Sequence, residues 1–359
     1  MPGAYERGTG LTFERVERLA SSRAHQLHLE PRLVTRLVAV LERHQIALYL
    51  AAIAAGGALG LLVPGVHHLE LAIEPVLALL LFATFLGVPF AAIGRSLRDA
   101  RFLGAVGVVN FVIVPLVAYA LSRFVADEPA LLFGVLLVLL TPCIDYVIVF
   151  AGLAGGASDR LLAVAPLLML AQMLLLPLYL LIFLGPDEVA VVDVAPFARA
   201  FLLLIVVPLG AAAFVQFLAK RHRSGQVIER TTMNLMVPLM MATLFTVVAS
   251  QAGAVGAAGP RLLVLVPIYV AFLAIMVLVG LLAGRVFRLD VPATRALAFS
   301  GATRNSLVVL PLALALPPAL ALTPVVIVMQ TLVELVGMVA LVRFLPRITR
   351  EREASASKP

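Results

Sequence analysis

The chain has no tryptophan and a single cysteine, Cys143, in 359 residues. One thiol excludes an internal disulfide and any multi-cysteine metal site. Without tryptophan, an aromatic belt at a membrane interface has to come from six Tyr and nineteen Phe. Charge is scarce as well: Asp, Glu, Lys and Arg make up 13% of the residues, where a soluble domain carries about 25%. The six histidines (25, 28, 44, 67, 68 and 222) all fall in the N-terminal region, in loops or at the edges of apolar runs. No Ser–His or His–Glu constellation therefore sits inside an apolar segment, and an intramembrane enzyme is not expected. These shortages exclude a cytosolic enzyme, a nucleic-acid binder and a disordered protein, and no cofactor is implied.

What the chain has is apolar surface. Hydrophobic residues are 62% of it and the mean hydropathy is +1.08, the composition of a polytopic helical membrane protein embedded in a lipid bilayer. A bilayer-crossing helix needs about 20 mostly apolar residues. Segments 46–63, 71–93, 102–122, 130–154, 161–184, 196–219, 232–250, 261–286, 296–321 and 323–345 qualify. The fold class expected is all-α, with ten transmembrane helices. Residues 1–45 carry seven arginines among Leu, Val and Phe at helical spacing, which predicts a cytoplasmic amphipathic segment on the membrane surface. Residues 46–345 are expected to form the ten-helix membrane domain, and 346–359 a disordered cytoplasmic tail.

The net charge of +7 mainly sets topology in such a chain. One set of loops and tails holds the seven N-terminal arginines, Arg95, Arg98, Arg101, Arg160, Lys220, Arg221, Arg223, Arg230, Arg285, Arg288, Arg295 and the last five basic residues. The opposite set holds only Arg123 and Arg261, a split of 23 to 2. The alternation predicts both termini in the cytoplasm and a multi-pass protein of the cell's inner (plasma) membrane.

Two of the ten segments are not plain Leu/Val/Ala helices. The fourth has Thr141-Pro142-Cys143-Ile144-Asp145 at its middle, and the ninth has Gly301-Ala302-Thr303-Arg304-Asn305-Ser306. Pro142 removes a backbone donor and clashes with the preceding turn, so helix four is expected to break there. A polar, small-residue run at mid-membrane depth is tolerated only where it is buried or lines a cavity. Helices four and nine lie an odd number of spans apart and so run in opposite directions. Interrupted helices at matching positions of two inverted five-helix repeats point to a transporter's binding site.

Asp145, Arg304 and Glu334 are the charged residues well inside apolar segments. A charge at mid-bilayer costs about 2.5–3.5 kcal/mol on insertion scales, and it is normally paired or functional. Arg304 keeps its proton and is expected to pair with Asp145 or Glu334, as a brace between the broken helices or as part of a substrate and proton site. Asn305, Ser306, Thr303, Thr141, Gln330 and Asn110 are candidate neutral ligands. Cys143, beside the break and two residues before a carboxylate, is a soft ligand suited to a thiophilic solute such as trivalent arsenic or antimony.

These stretches carry a resemblance. Cys143-Ile-Asp-Tyr-Val-Ile-Val-Phe-Ala-Gly-Leu-Ala-Gly-Gly resembles the fourth-helix motif of the arsenite efflux permeases, the arsenical-resistance branch of the bile acid/sodium symporter superfamily. Ala298 to Asn305 resembles that branch's ninth-helix motif, and Leu332-Val333-Glu334-Leu335-Val336 its tenth-helix segment. The resemblance implies a panel domain and a core domain with crossed, discontinuous helices four and nine, and essential roles for Cys143 and Glu334. It departs at Arg304, where relatives usually have Asn, and at Ser306-Leu307, where they have Phe-Glu. Relative to the sodium-coupled branch, a sodium-ligating Glu aligns with Ser300, and a Ser-Asn pair with Cys143 and Asp145. The expectation is a secondary active exporter of arsenite or antimonite, coupled to protons in preference to sodium. The alternative is transport of a small organic anion clamped by Arg304.

Overall fold

The computed structural model describes residues 37–63, 66–87, 99–144, 146–185, 199 and 202–356. Contacts divide the chain into Met1–Leu48 and Tyr49–Pro359. Of the first unit only residues 37–48 are described, and they are largely helical. The N-terminal amphipathic segment expected from sequence therefore lies mostly outside the described residues, as does Asp145.

Every named element is a helix or a helical turn, and among the described residues there is no strand. We label the principal helices α1 (Gln45–Leu62), α2 (Glu70–Gly87), α3 (Ala100–Val108), α4 (Val114–Ser122), α5 (Pro129–Leu139), α6 (Tyr146–Leu153), α7 (Ser158–Leu184), α8 (Val207–Ala219), α9 (Arg223–Asn234), α10 (Met236–Ala258), α11 (Leu265–Val286), α12 (Val291–Ala302), α13 (Ser306–Leu314) and α14 (Thr323–Ala356). Among the described residues, five helical runs are long and apolar enough to cross a bilayer, or six when a bent pair near the start is counted as one; α2, α5 and α8 are shorter apolar helices. The chain is a multi-pass membrane protein.

Side-chain pattern explains which helices face lipid. Leu116, Leu174, Leu278 and Leu282 are exposed on α4, α7 and α11, as an apolar solvent permits. In α5 every residue from Ala130 to Leu139 is buried; a helix apolar all round belongs in an interior. In α12 burial runs from Ala296 through Ala302 without a gap. The first halves of both interrupted segments are thus buried. Helix α2 packs against α8 and α10, and α5, α6, α11, α12, α13 and α14 pack among themselves with α3 joining through α12; α10 against α14 and α2 against α13 connect the two sets.

Close helix contact in a membrane relies on small residues. A Cβ on Gly280 would lie 2.4 Å from Ala298 Cα, and one on Gly284 2.5 Å from Thr294 side-chain atoms. This i, i+4 glycine pair lets α11 lie directly on α12. The Leu153-Ala154-Gly155-Gly156 stretch ends α6 as a Schellman cap: Gly155 has φ +68°, and Gly156 N–H donates to Ala151 O at 2.7 Å.

The tail departs from expectation. Helix α14 continues through Pro346 to Ala356, where sequence predicted a disordered tail from 346. Thr349 is buried and its hydroxyl accepts from Arg295 Nε at 2.8 Å. The Arg- and Glu-rich stretch Arg347 to Glu353 consists largely of good helix formers, and this anchor extends the helix past the apolar run.

Candidate functional site

The fourth and ninth segments break where sequence placed the breaks. Helix α5 ends at Leu139, α6 starts at Tyr146, α12 ends at Ala302 and α13 starts at Ser306. Between these ends the two segments meet in an antiparallel bridge between Pro142 and Arg304. Asn305 N–H donates to Thr141 O at 2.9 Å and Cys143 N–H to Thr303 O at 3.4 Å. Each break thus supplies the hydrogen bonds that the other helix lost, which non-helical backbone at this depth requires. Two helix C-termini (α5, α12) and two N-termini (α6, α13) converge on the crossing.

Local chemistry holds the ends open. Thr141 and Thr303 hydroxyls donate back to Val138 O and Phe299 O, each at 2.8 Å. Asn305 Oδ1 accepts from Val308 N–H at 3.3 Å, an N-cap for α13. Ser306 Oγ accepts from the hydroxyl of Thr331 on α14 at 2.8 Å. Gly301 admits α3's end: a Cβ there would meet Val109 Cγ1 at 2.9 Å. Cys143 is 1% exposed.

Arg304 is fully buried. Its Nη2 donates to Ser300 O at 2.7 Å, Gly301 O at 2.8 Å and Asn110 Oδ1 at 2.9 Å, and its Nη1 to Leu139 O at 3.3 Å. Phe272 of α11 presents its ring 5.5 Å from the guanidinium carbon. Asn110 is placed by a π-helical stretch, Val109–Ile113, between α3 and α4; such bulges turn a side chain out of helical register. Its Nδ2 is fixed by Val106 O and Ser300 Oγ.

Sequence left open whether Arg304 pairs with Asp145 or Glu334. Glu334 is beside it, but its Oε2 accepts from the Arg304 backbone N–H at 2.8 Å, while the guanidinium's acceptors named above are neutral. Glu334 Oε2 also accepts from Gln330 Nε2, and Oε1 lies 2.6 Å from Tyr146 Oη. Tyr146 Oη lies 3.0 Å from Arg304 O as well. A cavity of about 10 Å³, lined by Leu139, Tyr269, Phe272, Leu273, Ala302, Gln330 and Glu334, has the room of about one water molecule.

The crossing therefore brings together Thr141, Pro142, Cys143, Gly301, Thr303, Arg304, Asn305, Ser306 and Glu334 from the expected set. Sequence reasoning gave no role to Tyr146, to Phe272 or to the carbonyls of Leu139, Ser300 and Gly301. Tyr146 carried a signal, a phenol at the first residue after a break. The carbonyls carried none, since every residue has one.

A sequence model described as the Sodium Bile acid symporter family matches residues 74–258. The chain belongs to this family. Its members are ion-coupled membrane transporters of small molecules, not enzymes. The matched stretch includes α5, Cys143 and α6 and stops before Arg304 and Glu334. No curated protein matches the chain at a significant level.

Proposed function

We propose that this family member is a proton-coupled secondary exporter of trivalent arsenic or antimony, built from ten spans in two inverted five-helix repeats, with the crossing as its substrate site. The observation that carries the substrate reading is Cys143, buried at the point where the two breaks meet, with its backbone bonded to Thr303. A thiol there exchanges with one hydroxide of the arsenic(III) hydroxide: an As–S bond forms, an As–O bond breaks and water leaves. One sulfur ligand holds the cargo weakly enough to release it. The antiparallel direction of the two bridged segments supports the inverted-repeat reading.

Proton coupling rests on Tyr146, Glu334 and Arg304. A tyrosine hydroxyl has one hydrogen to donate. With Glu334 ionised, Tyr146 donates to its carboxylate. With Glu334 protonated, Glu334 donates to Tyr146, which donates to Arg304 O. Both arrangements satisfy the distances of 2.6 and 3.0 Å, so the carboxyl has a bonded place in either proton state. Asp145 remains a second candidate carrier in this reading. The organic-anion alternative has less support because Arg304 Nη2 already donates to three oxygens and Nη1 to a fourth, which leaves Nε as the donor without a partner among the described residues.

Uptake into everted vesicles tests both halves. Labelled arsenite should accumulate, organic anions should not, and collapse of the proton gradient should stop accumulation. Accumulation of an organic anion with no arsenite signal overturns the substrate reading. Accumulation that follows a sodium gradient instead overturns the coupling.

A further inference from the structure

The four oxygens around Arg304 form a cage of a particular kind. Leu139 O belongs to the last turn of α5, and Ser300 O and Gly301 O to the last turn of α12. Asn110 Oδ1 closes the cage from the third segment. The last carbonyls of a helix have no intrahelical partner, and each C-terminus carries about half a negative charge. Two of them bring their last carbonyls to the same buried guanidinium. A cluster of such oxygens suits a positive charge. Carbonyl and amide oxygens are the ligands that hard monovalent cations take, and half-helix C-termini are where transporters hold them.

We propose that Arg304 is a tethered cation: its guanidinium permanently fills an oxygen cage formed by Leu139, Ser300, Gly301 and Asn110, and without it that cage takes up a free monovalent cation such as Na⁺. The proposal refines the coupling half of the function proposed above. It predicts that no ion enters or leaves this cage during transport, so coupling has to run through another group. The fixed charge also clamps α5 to α12 across the crossing, so the two half-helices cannot part there by releasing an ion. The tether explains why burial of Arg304 is tolerated with the Glu334 carboxylate on its backbone N–H.

Thermal melting of the purified full chain tests this without any substrate, so a wrong choice of cargo cannot mask the result. Wild type, Arg304→Ala and Arg304→Lys are melted in NaCl, in choline chloride, and in choline chloride with low-millimolar guanidinium chloride. For Arg304→Ala, melting should rise by about 2–4 °C more than for wild type on going from choline to Na⁺ or guanidinium, as expected when a vacated site binds its ligand. Arg304→Lys keeps a tethered charge and should fold in choline chloride with wild type's small response. An alanine variant that melts at one temperature in all three media, or aggregates in all three, overturns the proposal, because no free cation takes the vacated place. A lysine variant no more stable in choline chloride than the alanine variant also overturns it.

Discussion

Cys143, Glu334 and Tyr146 have separable tests because each is given a different task. Cys143→Ser preserves size and burial, and a hydroxyl is a poor ligand for trivalent arsenic. Arsenite transport should fall to background while melting temperature and expression stay at wild-type values; unchanged resistance in cells carrying the serine variant would remove the thiol from the site. Glu334→Gln keeps the shape and an acceptor for the Arg304 N–H but cannot release a proton. That variant should bind substrate and exchange it down a gradient, yet fail to concentrate it, and transport should lose its dependence on external pH. Retained proton-driven accumulation would move the coupling to Asp145. In Tyr146→Phe the hydroxyl that both Glu334 and Arg304 O use is gone, while the ring contact with Phe150, 6.3 Å between centroids, remains. A hydrogen bond within a membrane protein contributes about 0.6 kcal/mol on average and up to about 1.7. The phenylalanine variant should therefore melt only slightly lower, but accumulate substrate much more slowly, since the bonded place for a protonated Glu334 is lost.

At the level of helices, close packing and open surface predict opposite responses to the same added methyl group. Gly280→Ala drives a Cβ to 2.4 Å from Ala298 Cα in α12, against backbone that has no side chain to give way. The expected cost is about 1–3 kcal/mol, as in other overpacked interiors, read as a lower melting temperature. Gly107→Ala on α3 meets nothing within 4 Å and should be neutral or stabilising by up to about 1 kcal/mol through helix propensity. Equal effects of the two substitutions would mean that α11 and α12 do not meet as described. The same elements show what was legible beforehand. Pro142 marked the break of helix four because proline has a fixed chemical consequence, and the polar run at 301–306 marked that of helix nine. The carbonyl partners of Arg304 were not legible because sequence displays side chains and hides backbone. Among the described residues, three of the guanidinium's four oxygen partners are backbone carbonyls, exposed because two helices stop at the same place. The π-helical stretch that delivers Asn110 has an ordinary sequence, Val-Asn-Phe-Val-Ile, and its contacts with α12 join residues far apart in the chain. The helical tail beyond Pro346 was missed because its anchor, Arg295 on Thr349, joins residues 54 apart.

Across the whole chain, charge distribution and geometry bear on one question, which loops share a side. Basic residues divide 23 to 2 between alternate loops, and cytoplasmic loops are the basic ones. Contacts gather the same loops without reference to net charge. Arg160, at the start of α7, sits 2.8 Å from Asp290 and 3.6 Å from Asp99. Asp99 caps α3 and Asp290 caps α12, so one arginine ties together the entries of the two segments that supply Asn110 and Arg304. Arg295 donates to Gly155 O, Pro346 O and Thr349 Oγ1, which brings the end of α6 and the tail to that face. These exposed ion pairs contribute about 0–1 kcal/mol each, so their value is positional. The prediction is that this face and both termini are cytoplasmic. Cysteine labelling checks it on a Cys143→Ser background, where every signal comes from the introduced thiol. An impermeant maleimide added to intact cells should label Asp127→Cys, in the loop that follows Arg123, and should label Arg223→Cys, at the start of α9, only after the membrane is opened. The reverse pattern inverts the orientation and leaves the alternation standing. Labelling of both sites in intact cells breaks the alternation itself, and with it the ten-span, inverted-repeat reading, because an odd number of spans, from α5 through α8, has to separate the two residues.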